Sequence, residues 1–137
     1  MQININKKWI ELVKAKTSVQ KPELWITSLA IISAVIADAM FYFQDRIVAY
    51  GDAESHLNIA KRVVDSLTSG FAQLGGIWLP IPHILLVPFV KFDFLWRSGL
   101  AGSIVSGTSF VIASLFIYKT AYLITKNKPG SVLASLV

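Results

Sequence analysis

The sequence predicts an all-α integral membrane protein. It has two complete transmembrane helices and a large outer loop that carries an interfacial amphipathic helix and a Pro-rich re-entrant segment, followed by the start of a third span. Three observations lead there. Of 137 residues, 54% are apolar and only 15% charged, whereas a soluble domain carries about 25% charged and about 45–50% apolar residues. Mean hydropathy is +0.58. Two runs, residues 24–43 and 98–118, are nearly free of charge and long enough to cross the roughly 30 Å hydrocarbon core at about 1.5 Å per residue. Composition therefore argues against disorder and against soluble nucleic-acid binding. With no cysteine, there is neither a disulfide framework nor a thiolate metal site.

Residues 1–23 are polar and basic, with Ile5, Trp9 and Val13 spaced as one apolar face of a short surface helix. The simpler expectation is a solvated lead-in to the first span. Residues 24–43 hold one charge, Asp38. Ala37-Asp38-Ala39 has the small-x-small form of a cleavage site, but the long polar lead and the apolar residues continuing through Phe43 favour an uncleaved signal anchor. The second span covers 98–124, with Gly99, Ser103 and Gly107 forming a stripe that admits a close neighbour. Residues 125–130 read as a turn and 131–137 as the start of a third helix, too short to span. The chain thus reads as the N-terminal piece of a longer polytopic protein. Basic residues dominate the N-terminus and the turn after the second span, while the 44–97 loop balances its charges. The positive-inside rule then places the N-terminus in the cytoplasm and the loop outside a plasma (inner) membrane.

Within that loop, residues 53–68 show helical periodicity. Glu54, Asn58, Lys61, Arg62 and Asp65 fall on one face and Leu57, Ala60, Val63, Val64 and Leu67 on the other. Asp52 stands where the helix opens, suited to cap the first amides or to act as a general base. His56 lies one turn on, within reach of Asp52 yet amid the apolar face, where packing is its ordinary role. Asp38, an intramembrane carboxylate, is either a polar partner for a neighbouring helix or a functional group, and shares a face with Asp45 two turns later. Residues 77–90 are apolar but carry Pro80, Pro82 and Pro88, which suits a re-entrant or interfacial segment. Trp78 and Trp96 suit the headgroup level. Lys61, Arg62, His83 and Arg97 are candidates to meet an anionic phosphate. No HExxH or Gly-rich phosphate loop is present.

Taken in order, Gly51-Asp52, Ile59-Ala60-Lys61-Arg62, Pro80-Ile81-Pro82-His83, and Arg97 before Ser98-Gly99-Leu100-Ala101-Gly102 resemble the opening of a GT-C-type glycosyltransferase. The nearest kinds are the protein O-mannosyltransferases and the lipid A aminoarabinose transferases, which use polyprenyl-phosphate sugars. The resemblance implies that Asp52 matches the catalytic aspartate, which activates an acceptor hydroxyl. It implies as partners a polyprenyl-phosphate sugar donor, membrane lipids and further transmembrane helices. The sequence departs from the family where Ala53 replaces the commonest second acid, with Glu54 one place later, and where His56 fills an aromatic position. Asp52 and Glu54 are hard oxygen ligands of the kind that suits magnesium or manganese. Two other classes fit the same sequence: a small non-enzymatic scaffold or assembly subunit pairing through its small-residue stripe, and the opening segment of a transporter using Asp38.

Overall fold

A computed structural model describes residues 21–74 and 79–136. The surface helix expected around Ile5, Trp9 and Val13, the Gly75-Gly76 turn and Trp78 lie outside the described residues. Among the described residues six α-helices follow one another: α1 Lys21–Phe43, α2 Ala53–Val64, α3 Pro80–Val90, α4 Asp93–Arg97, α5 Leu100–Thr125 and α6 Lys128–Leu136. A 3-10 turn, Phe71–Leu74, lies between α2 and α3. No strand occurs among the described residues.

The apolar runs become α1 and α5, both long and apolar enough to cross a membrane. Trp25, Val35, Ile36, Phe116 and Ile124 all stand exposed along them. A helix apolar on every side has no polar face to offer water. Side-chain hydroxyls in α5 fold back on their own helix: Thr108 donates to Ile104 O and Ser109 to Val105 O. This is how polar groups are satisfied where water is absent.

Both long helices end in a left-handed residue that is not glycine. After α1, Asp45 (φ 54°) closes a Schellman arrangement: the Arg46 amide donates to Phe41 O and the Asp45 amide to Tyr42 O. Asp45 has therefore left the helix and does not continue the face of Asp38, contrary to the seven-residue spacing. After α5, Lys126 (φ 54°) donates its amide to Tyr122 O. The turn there is shorter than the expected 125–130. Asn127 caps α6, its side-chain oxygen accepting from the Gly130 amide at 3.2 Å. Pro129 sits comfortably in the first turn, where no amide donor is needed.

The described residues fall into two compact units: those within 29–113, and residues 21–28 with 114–136. In the second, Lys119 lies 3.6 Å from Glu23, and Tyr118 stacks on Tyr122.

The first unit is built on α2 and α3. Helix α2 stops at Val64, short of the expected residue 68, and Leu67 lies fully exposed beyond it. The chain then loops back so that the Gly70 amide donates to Val63 O. Leu57, Ala60, Leu86, Val90 and Ala101 form one buried cluster; Ile59, Val63 and Leu74 form a second. The proline-rich stretch makes a regular short helix, because Pro80 and Pro82 occupy its first turn. Pro88 is interior, and the helix ends two residues later.

Gly99 joins α4 to α5 at φ +79° and precedes α5 instead of belonging to it. A Cβ there would stand 2.5 Å from Ile47 Cγ2 and 2.8 Å from Val48 Cγ1. Gly107 is the member of the small-residue stripe that meets α1, beside Ala34 and Asp38. Gly99→Ala combines a strained φ with a clash, so it should destabilise the protein by about 1–3 kcal/mol. Its thermal midpoint in detergent should fall below wild type, and that of Gly102→Ala, where the space is open, should not.

Candidate functional site

Asp52 holds the N-cap position of α2, but its backbone is helical (φ −93°, ψ −10°) and its carboxylate makes no capping hydrogen bond. A cap side chain reaches the second or third amide when its own backbone is extended. Helical torsions turn the carboxylate away, and it stands exposed. Glu54, in the first turn of α2, is exposed as well. Among the described residues no three His, Asp or Glu side chains gather to hold a metal ion.

His56 turns toward α3. Its Nδ1 lies 2.8 Å from His83 Nε2, one ring donating to the other. His83 is fully buried, and its Nδ1 has no hydrogen-bond partner among the described residues. Burial pushes the His83 imidazole below its ordinary range, the neighbouring His56 adds to this, and the Leu79 backbone opposes it in part. Sequence position made His83 a candidate to meet a phosphate; the structure places it buried against His56.

Lys61 also departs from expectation. Periodicity put it on the polar face, yet its residue is buried. Its ammonium emerges beside Asp93, to which it donates at 2.6 Å, and it also donates to Val90 O at 3.2 Å. Asp65 lies 3.6 Å away and the Trp96 ring 5.0 Å away. The long apolar stem is covered while the charged end reaches a surface carboxylate. The hydrogen bond to Asp93 holds the Lys61 ammonium above its ordinary range in spite of burial, and it holds the Asp93 carboxyl below its own. Trp96 is fixed in turn, donating Nε1–H to Asn58 Oδ1 at 3.0 Å, and Arg97 lies over its ring at 5.2 Å. Arg62 and Arg97 are exposed.

Between these elements lies a cavity of about 530 Å³. Phe41, Ile47, Leu57, Leu86 and Val105 give it apolar walls; Asp38, His56, Ser103 and Ser106 add polar groups. Ala53, the residue after Asp52, is on its lining. The structure thus brings Asp38 and His56 to one cavity, while Asp52 is not on its lining. Lys61, Arg62, His83 and Arg97 do not line it. The His56–His83 pair joins residues 27 positions apart, and no local pattern announces it. Comparison with family models, curated proteins and solved structures finds no match for the chain.

Two pH effects follow. A histidine whose folded-state affinity for protons is lowered stabilises the fold fully above its unfolded value of about 6.5, and the contribution is lost as pH falls through that value. The thermal midpoint should therefore drop between pH 7.5 and pH 5, and this limb should flatten in His83→Gln. The Lys61–Asp93 pair behaves differently. Asp93 contributes above about pH 4 and fails as pH falls further, whereas Lys61 contributes below about pH 10.4 and fails above its raised value. Asp93→Asn should remove both outer limbs from the same measurement while leaving the histidine limb in place.

Proposed function

We propose that this chain is the N-terminal part of a membrane glycosyltransferase, moving a sugar from a polyprenyl-phosphate donor to an acceptor hydroxyl on the outer face of a plasma (inner) membrane. One observation carries the reading: Asp52 offers an exposed, uncapped carboxylate, and the next residue, Ala53, lines a largely apolar cavity whose walls include α2, α3 and the start of α5. A lipid-linked sugar needs apolar space near a base that can receive the acceptor proton.

In this reading Asp52 takes the hydroxyl proton as the acceptor oxygen attacks the sugar carbon bonded to phosphate. The carbon–oxygen bond to phosphate breaks, and its electron pair leaves with the polyprenyl phosphate. Charge grows on that leaving group, so cations placed nearby favour the transition state. Lys61 is committed to Asp93 and His83 to His56, which leaves the exposed Arg62 and Arg97 as candidates for the phosphate. Asp52 and Glu54 alone offer a magnesium or manganese ion an open site with few protein ligands, and no step here passes through a metal. The basic turn after α5 supports a cytoplasmic side there and the loop outside.

A positioned base contributes about 10²–10⁴-fold to rate. In membranes from cells expressing the full reading frame, Asp52→Asn should reduce transfer of labelled sugar from polyprenyl phosphate by at least about 100-fold at unchanged protein level. Transfer retained in that variant removes Asp52 from the mechanism.

A further inference from the structure

Asp38 sits inside α1, where a carboxylate is expensive to place in a bilayer and ordinarily finds a partner. Here its carboxylate makes no hydrogen bond or ion pair among the described residues. Gly107 of α5 lies beside it, where an added Cβ would lie 3.7 Å from Oδ2. Glycine at that point leaves the carboxylate room and no donor. The hydroxyls of α5 do not meet it either: Ser106 donates to Ser103 O, and Thr108 and Ser109 to carbonyls one turn back.

Two cavities meet at this residue. Asp38 and Ser106 line both the 530 Å³ cavity and a second, of about 350 Å³, that continues past Ala34, Gly107 and Phe110. The larger lies within the roughly 300–1,000 Å³ range of small-molecule sites. Its walls are mostly apolar, with Tyr50, His56, Ser103 and Ser106 as the other polar side chains, and Asp38 is the one acid on them among the described residues. No lysine or arginine lines either cavity. An apolar chamber with a single carboxylate complements one kind of ligand: an apolar body that ends in a cation able to donate hydrogen bonds.

We infer that Asp38 anchors a single-chain primary ammonium amphiphile, its charged nitrogen on the carboxylate and its chain in the larger cavity. The Ser103 and Ser106 hydroxyls are placed to accept the ammonium's remaining hydrogen bonds. This site uses neither Asp52 nor the loop cations, so it stands apart from the transferase reading.

The test uses the protein in phosphatidylcholine nanodiscs, which supply no primary amine. A photoreactive dodecylamine, with a diazirine on its chain, is crosslinked and the labelled peptides are mapped. Labelling should fall on segments 38–57 and 99–106, and unlabelled dodecylamine should displace it at a concentration at least tenfold lower than dodecanol does. Asp38→Asn should erase that tenfold preference, Asp38→Glu should keep it, and Asp45→Asn, outside the cavity, should leave it unchanged. Equal displacement by the amine and the alcohol, or a preference that survives Asp38→Asn, overturns the proposal. The amine–alcohol comparison is made on the unaltered protein, so it decides the matter even if the Asn variant does not fold.

Discussion

The contact between α2 and α3 is the constraint on which the loop region depends. Leu57 and Ala60 from α2 meet Leu86 and Val90 from α3 in one buried cluster, which Ala101 of α5 completes. Ala60, Val90 and Ala101 are wholly covered, so the helices approach closely and a larger side chain at any of these positions would have to displace backbone. Lys61 ties the C-terminal end of the contact through Val90 O and Asp93, and the histidine pair ties a second point one and a half turns earlier on α2. Once α2 and α3 are fixed, their near residues, with Ile47 and Val48, wall the cavity against α1 and α5.

The same contact explains why several polar side chains serve structure. A cation committed to a carboxylate and a backbone carbonyl, stacked near an indole that is itself held by Asn58, is a joint. Asp52 and Asp38 are different. Neither carboxylate is occupied by a capping bond or an ion pair among the described residues; Asp38 lines the cavity, and Asp52 precedes Ala53, which does.

Much of this was legible in residue order. The apolar runs at 24–43 and 98–124 reappear as the helices α1 and α5, shifted by a few residues at their ends. The loop helix is there too, starting at Ala53 as expected. What failed was finer. Helical periodicity treated Lys61 as polar and therefore outward, but a lysine can bury its stem and surface only its charge. Pro80, Pro82 and Pro88 suggested a re-entrant or interfacial segment; residues 80–90 form a short helix with Pro80 and Pro82 in its first turn, where a missing amide costs nothing. Gly99 read as part of a packing stripe and serves as a left-handed joint. Asp45 seemed to extend the face of Asp38, but the helix had already ended.

By itself the sequence determined how many long apolar helices there are, where they lie and the polarity of the connecting loop, since these depend on local hydropathy and on spacing along one helix. Only the tertiary structure decided that His56 finds His83, that Lys61 finds Asp93, and that Asp38 faces an apolar chamber. Those partners are separated by turns whose geometry rests on backbone torsions and packing, and no periodic pattern encodes them.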